Sequence, residues 1–274
     1  MLWIWRRTDF RDQATRSRNA SPMSAPIVHP QSKQHVLGDW LDLHGLDHQT
    51  CLHLLDEIRR ESAKIPAYRS NPDQQPLSLD PDGVWTKIIS AMCSFLPEQQ
   101  KVIEETFQRS EKIAVPGKGK SRKALTIDHG PAKYPTIMYQ YFGEVSDLLV
   151  VAHEFGHALQ IRASEGEFMP PVMREVCAFL SEGALLSSCS NEDAFLAENL
   201  LKYWQRSNRR FFGNLATKLQ ESLKDENAIY EYGWNYPIAR YLALRIFTNF
   251  SRDSVWRVFR GEYSIKKVLN QLAI

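Results

Sequence analysis

The pentapeptide HEFGH, at residues 153–157, carries the clearest chemistry in this sequence. It matches the pattern H-E-x-x-H, in which two histidines four residues apart lie on one face of a helix and can bind a single metal ion. His153 and His157 are therefore predicted metal ligands, and the ion is predicted to be one Zn2+ per chain. Glu154 is predicted to be the general base that takes a proton from water during hydrolysis. The alternative is that the two histidines are core residues that hydrogen-bond each other.

A catalytic zinc site needs a third protein ligand as well as a position for water. Glu175 is the best candidate, because a connection with Gly166 and Pro170 would let the next helix fold back antiparallel to the first. Glu182 lies two turns further along and could orient a ligand histidine from behind the metal. The residues alone leave two alternatives open: Glu175 could serve the helix dipole in a first turn, and Glu182 could be a solvated residue.

Helices are predicted to position all of these residues. The run 148–161 is apolar almost all round, which is typical of a buried helix, and Ser146 or Asp147 is a suitable N-cap. Further helices are predicted at 172–188, at 192–224 and from about 235 onward. Upstream, the predicted elements are helices at 47–65, 83–95 and 97–113, a connection at 71–82, a Gly/Lys loop at 116–123, and short strands at 124–127 and 136–141.

Composition excludes several classes of protein. The chain has 274 residues, 43% of them hydrophobic, and a formal charge of +2, so neither nucleic acid nor an anionic membrane is an expected partner. No run approaches the roughly 20 apolar residues of a membrane span. Four cysteines without a C-x-x-C pair favour a reducing compartment, which we expect to be the cytoplasm.

The domain organisation is predicted to be simple. Residues 1–38 have little periodicity and are predicted to be a flexible basic tail or leader. Residues 39–274 are predicted to form one domain, with its catalytic core at about 115–250. No feature sets the oligomeric state.

About half of the chain, from Gly117 to about Phe250, resembles the catalytic core of the thimet oligopeptidase and oligoendopeptidase F family of zinc peptidases. The resemblance rests on four segments in the same order: Gly117-Lys118, YPTIMYQYFG at 134–143, Asp147 leading into HEFGHAL, and Glu175 to Glu182. It implies a mainly α fold, a helical gluzincin-type metallopeptidase domain with a small β-sheet beside the HExxH helix. It also implies that His153, His157 and Glu175 bind zinc while Glu154 acts as the base.

The resemblance extends to the substrate. The family uses tyrosines near its C-terminus to stabilise the oxyanion, and Tyr232 and Tyr236 are the implied candidates here. The strand near Tyr134 to Tyr141 would line the cleft and pair with an extended peptide. The chain departs from the family in a shorter interval between the second histidine and Glu175. It also lacks most of the long helical N-terminal half that roofs the family's channel.

These observations predict a zinc-dependent endopeptidase that cleaves oligopeptides, an unfolded protein or a protein partner. One alternative is a protease dedicated to a single folded substrate, and another is a non-catalytic protein that binds zinc. A nucleotide hydrolase is a weaker alternative, because residues 114–121 fit a loosened phosphate-loop pattern but are followed by a predicted strand instead of a helix. His44, His48 and His53 also have metal-like spacing, yet no carboxylate or thiol accompanies them, and we expect them to be surface or packing residues.

Overall fold

A computed structural model of the chain describes residues 35–65, 76–118 and 123–274. Within these ranges the fold is mainly helical with one small sheet, as predicted. The helices are α1 Leu37–His44, α2 His48–Ser62, α3 Pro81–Phe95, α4 Gln100–Arg109, α5 Val145–Ala163, α6 Pro171–Glu192, α7 Ala194–Arg209, α8 Ala216–Ser222, α9 Asn235–Asn249, α10 Arg252–Phe259 and α11 Ile265–Leu272. Most of the predicted tail, part of the 71–82 connection, and residues 119–122 of the Gly/Lys loop lie outside the described residues.

The sheet contains three strands, β1 Glu111–Pro116, β2 Ala124–Ile127 and β3 Thr136–Tyr141, in the order β1-β3-β2. β3 is the central strand, parallel to β1 and antiparallel to β2. The predicted bounds of β2 and β3 are confirmed, but the prediction of a helix over 97–113 is wrong at its end. Helix α4 stops at Arg109, Ser110 is extended, and the β-branched residues Ile113 and Val115 belong to a strand that pairs with β3.

Helix α5 starts earlier than predicted because its first turn is tied to the end of β3. Glu144 is the N-cap, so neither Ser146 nor Asp147 has that position. Asp147 is instead the third helical residue, and its Oδ2 accepts hydrogen bonds from the backbone amides of Glu144 (3.0 Å) and Phe142 (2.9 Å). This carboxylate fixes the helix that bears HEFGH against the sheet.

Helices α5 and α6 form an antiparallel pair in the centre of the core, and Gly156 lets them approach closely. A Cβ atom on Gly156 would lie 2.6 Å from Cα of Ala178 and 2.9 Å from the carbonyl oxygen of Cys177. A glycine inside a helix costs about 1 kcal/mol relative to alanine. Here the missing side chain brings the backbones of α5 and α6 together, which sets the distance between the side chains that project from them.

The predicted long helix over 192–224 is interrupted twice. Asp193 ends α6 and caps α7, because its side chain accepts a hydrogen bond from the Leu196 amide (3.0 Å). A π-helical segment, Arg210–Leu215, then joins α7 to α8. Helix α9 packs against α6, and the helices predicted after residue 235 are confirmed as α9 to α11. In the described part of the chain no helix is both long and apolar enough to cross a membrane.

Candidate metal centre

His153, His157 and Glu175 meet where α5 faces α6. One ligand-type atom from each lies within 4.8 Å of the other two, and no other such group of His, Cys, Asp and Glu side chains occurs in the described ranges. Nε2 of His153 is 3.2 Å from Oε2 of Glu175, and Nε2 of His157 is 3.7 Å from Oε1 of the same carboxylate. The three predicted ligands are thus together, and Glu175 lies in the first turns of α6 as the predicted antiparallel return requires.

The hydrogen bonds around these residues fit a bound cation. Nδ1 of His153 lies 2.8 Å from Oε1 of Glu182, so this nitrogen carries a hydrogen and Nε2 faces Glu175. Oε2 of Glu175 is buried and receives no well-directed hydrogen bond from the described residues, although Nε2 of His153 is near. Two imidazole nitrogens and a buried carboxylate oxygen that converge on one point are the donor set that zinc prefers.

The pKa values of His153 and Glu175 are shifted in opposite directions. Burial would lower the pKa of His153, but the carboxylates of Glu175 and Glu182 outweigh it and raise that pKa to about 10. Burial would raise the pKa of Glu175, but the charge of His157 and the nearby imidazole of His153 lower it to about 2. The two shifts have one cause, which is the close packing of imidazoles and carboxylates away from solvent.

Glu182 has the orienting position that the sequence suggested. One of its oxygens accepts from His153, and the other accepts from Nη1 of Arg240 on α9, at 2.5 Å. Burial would raise the pKa of Glu182, but the charge of Arg240 and the bond with His153 lower it. Arg240 itself escaped the sequence analysis, since an arginine in a helix has no motif; its position inside the apolar run 238–243 is the only signal.

Glu154 points toward the sheet from the same turn of α5. The Oγ1 atom of Thr126, on β2, lies 2.9 Å from both the backbone oxygen of Glu154 and its Oε2. Glu154 is 7% exposed, so its carboxylate is largely shielded from solvent. Thr126 was also missed from the sequence, because nothing in a four-residue strand marks one hydroxyl as a neighbour of the motif.

The two predicted tyrosines lie next to the third predicted ligand and to each other. The Tyr232 hydroxyl donates a 2.6 Å hydrogen bond to Oε1 of Glu175, and burial raises the Tyr232 pKa well above its usual value. The Tyr236 ring is 5.7 Å from the Tyr232 ring and stacks on Phe211 of the π-helical segment at 5.2 Å. Tyr232 thus contacts a predicted metal ligand directly, and Tyr236 adjoins it.

The second group of histidines does not form a metal cluster with any carboxylate or thiol among the described residues. His44 is buried and bonds to the backbone of Trp40 and Val172, and His48 lies 2.7 Å from the carbonyl oxygen of Leu223. His53 is exposed. They are packing and surface residues, as expected. Of the residues described after the Gly/Lys loop, the first element is strand β2, so those residues offer no helix N-terminus for a phosphate.

No family model and no curated protein matches this chain in sequence. Solved structures, however, share its fold, and they are peptidases. A candidate peptidase from Chlamydophila abortus matches 87% of this chain with a TM-score of 0.59 and 15% identity. A candidate oligoendopeptidase F from Bacillus anthracis matches 89% with a TM-score of 0.55 and 14% identity. PZ peptidase A, solved with an inhibitor, matches 86% with a TM-score of 0.51 and 13% identity.

At these identities the similarity shows the fold alone, and at that level the expected likeness to the oligoendopeptidases is confirmed. The chain spans about half the length of these proteins, covering 53%, 53% and 54% of them. The shared part contains a mainly helical architecture with a small sheet.

Proposed function

We propose that this protein is a zinc-dependent peptidase in which His153, His157 and Glu175 bind one Zn2+ and Glu154 is the general base. The observation that carries the proposal is the convergence of these three ligands beside a shielded carboxylate, in a chain with a peptidase fold. When bound, zinc lowers the pKa of a coordinated water from 15.7 to about 7 and polarises a carbonyl group.

Glu154 has the surroundings that its proposed role requires. It follows His153 directly, so its side chain lies beside the ligands without being one of them. The Thr126 hydroxyl at Oε2 would hold the carboxylate in one rotamer, and the low exposure would keep bulk water from competing for its proton. Glu154 would accept a proton from the attacking water and pass it to the leaving amine.

The position of the sheet changes the expected docking strand. The prediction that the strand near Tyr134 to Tyr141 pairs with a peptide is wrong, because β3 is already paired with β1 on one side and β2 on the other. Among the described residues, β2 pairs with β3 alone, and its Thr126 contacts Glu154. We therefore propose that an extended peptide adds to the outer edge of β2, which would bring its backbone past the general base.

We also divide the roles of the two tyrosines. The Tyr232 hydroxyl is already bonded to Glu175, and we propose that it holds this ligand in place. Tyr236, whose ring packs next to it, is then the better candidate to donate a hydrogen bond to the oxyanion of the tetrahedral intermediate.

The cysteines at 51, 93, 177 and 189 are free, which supports activity in a reducing compartment such as the cytoplasm.

The test combines zinc content by elemental analysis with cleavage of a quenched-fluorescent peptide library. Wild type is expected to hold about one zinc and to cleave, whereas Glu154→Gln should hold the same zinc and lose cleavage. Glu198→Gln, which changes an exposed glutamate on α7, is the matched control and should behave as wild type.

Each other outcome has a distinct meaning. Zinc without cleavage in wild type would point to a single-substrate protease or to a non-catalytic zinc protein, and a panel of folded proteins would separate these two. Equal cleavage by Glu154→Gln would disprove the role of the base. Absence of zinc from wild type would disprove the site.

A further inference from the structure

Arg240 lies behind the metal centre, and it is completely buried. Its guanidinium carbon is 4.2 Å from the ring centroid of Trp204, 4.5 Å from that of Phe179 and 5.6 Å from that of Phe211. We call these three rings the aromatic box. Contacts of this kind favour a cation and hold a planar guanidinium in one orientation.

Hydrogen bonds link Arg240 to His153 through one intermediate. Nη1 of Arg240 donates to Oε2 of Glu182 at 2.5 Å, while Oε1 of Glu182 lies 2.8 Å from Nδ1 of His153. Nε of Arg240 donates to Oδ1 of Asn208 at 2.5 Å, which fixes the other side of the guanidinium. The chain of contacts therefore passes from α9 through α6 to the first ligand on α5.

Stability alone does not account for this arrangement. A buried ion pair rarely contributes net stability, because the loss of hydration offsets the attraction, and an apolar pair of similar volume is often as good. Both oxygens of a buried carboxylate need hydrogen-bond partners, and His153 bonds only one oxygen of Glu182. Nothing else among the described residues near Glu182 supplies a permanent charge at its second oxygen.

Glu182 fixes which nitrogen of His153 faces the other predicted ligands. Oε1 of Glu182 accepts from Nδ1 of His153, so Nε2 faces Glu175 and lies 3.2 Å from its Oε2. Arg240 bonds the opposite oxygen of the same carboxylate, and this second hydrogen bond sets the direction in which Oε1 points. Arg240 thus orients the imidazole of His153 through Glu182.

We propose that Arg240 is a positioning residue for the metal centre: held by the aromatic box, it acts on His153 by keeping the Glu182 carboxylate in the orientation that bonds Nδ1 of His153. The inference rests on the proposed zinc site. It adds to that site a residue that contacts neither the metal nor the substrate.

A double-mutant cycle on zinc affinity tests the proposal. The variants are Arg240→Met, Glu182→Gln and the double variant, with zinc affinity measured by competition with a chromophoric chelator. Arg240→Met is expected to weaken zinc binding about 10- to 100-fold. In the Glu182→Gln background, where no carboxylate accepts from both Arg240 and His153, the same change should cause no further loss beyond about twofold.

Two controls separate positioning from a general effect on the core. Arg257→Met removes an exposed arginine that pairs with Glu262, and it should leave zinc affinity unchanged. Arg240→Lys keeps a positive charge in the aromatic box and should recover most of the affinity. Arg240→Gln replaces Arg240→Met in the cycle if that variant does not fold. Melting of the zinc-free proteins is recorded in parallel, since a purely structural role would change melting but not the cycle.

The outcomes distinguish this inference from the proposed function. If wild type binds no zinc, the proposed site itself is wrong. If wild type binds zinc but Arg240→Met binds it equally well, or loses the same factor in both backgrounds, then Arg240 does not act through Glu182 and the inference is overturned while the site stands.

Discussion

His44 and His153 are two mostly buried histidines with opposite properties. Within the described ranges His44 bonds to backbone groups: its Nδ1 lies 2.7 Å from the Trp40 oxygen and its Nε2 accepts from the Val172 amide at 3.1 Å. Burial lowers the pKa of His44 to about 4, although the bond to Trp40 opposes this. His153, between two carboxylates, has a pKa raised to about 10.

The comparison teaches that burial and sequence spacing do not decide what a histidine does. The groups on the facing element decide it. Where α6 offers a backbone amide, as to His44, the imidazole stays neutral and joins two helices. Where α6 offers carboxylates, the imidazole takes a positive charge or a metal ion.

Substituting each histidine in turn should show the largest difference between His153 and His44. We expect His153→Ala to weaken zinc binding by more than about 100-fold and to reduce hydrolysis to background. This loss exceeds the roughly 10- to 100-fold effect that is typical when a residue behind a metal ligand is removed. His44→Gln, which keeps an acceptor for the Val172 amide, should retain zinc and activity. Elemental analysis and peptide cleavage measure both, and wild-type zinc content in His153→Ala would contradict the assignment.

Acid should affect the two histidines differently, and protonation of the neutral, buried His44 should lower stability. The pKa of His44 is lower in the folded state than the ordinary 6.5. The contribution of His44 to stability is therefore complete above about pH 6.5 and is lost as the pH drops toward 4. A shift of this size corresponds to about 3 kcal/mol of unfolding free energy. Urea unfolding at pH 7.5 and 4.5 tests this: His44→Gln should lack this part of the acid loss, and an equal loss in both proteins would refute it.

Helices α5 and α6 approach each other closely at Gly156, next to the predicted ligands. Gly156→Ala should therefore affect the site of His153 and not that of His44. The added methyl group would meet the backbone of Ala178 and Cys177, so we expect destabilisation of about 1 to 3 kcal/mol and weaker zinc binding. Gly213→Ala is the control, because a Cβ there meets no atom within 4 Å, and it should be neutral or stabilising. Urea unfolding of the zinc-free proteins compares them, and equal effects would argue against the tight contact.

The smallest effect is expected from the hydroxyl on the third ligand. Tyr232→Phe removes the hydrogen bond to Glu175 and should weaken zinc binding by about 1 kcal/mol, while cleavage by the zinc-loaded protein falls only modestly. Tyr230→Phe, which alters a hydrogen bond with Asn235 instead, is the control and should keep wild-type affinity. A large loss of turnover at unchanged zinc affinity would return the oxyanion role to Tyr232.

Sequence was sufficient for the parts of the site that lie on one helix or follow a recognisable order. The i, i+4 spacing placed His153 and His157 together, and the turn before α6 placed Glu175 opposite them. The bounds of β2 and β3 were equally predictable from their alternating β-forming residues. Local patterns and short connections carry this information.

Sequence was insufficient where a contact joins distant elements. Arg240 is 58 positions from Glu182, and Thr126 is 28 from Glu154, so neither has a local pattern. β1 looked like the end of a helix, since only its pairing with β3 makes residues 111–116 a strand. α1 was not predicted either, because its eight residues are stabilised by packing against the core more than by their own periodicity.

The π-helical segment between α7 and α8 has a consequence for insertions and deletions. A π turn holds about one extra residue compared with an α turn. Deleting one residue within Arg210–Leu215 would allow a continuous α-helix, and the rotation lost with that residue is nearly recovered by the tighter α geometry. Asn208 and the helix after the segment would then keep their directions, whereas residues inside the segment would shift and Phe211 would leave Tyr236. The contact of Phe211 is therefore more sensitive to a one-residue deletion than the helices on either side.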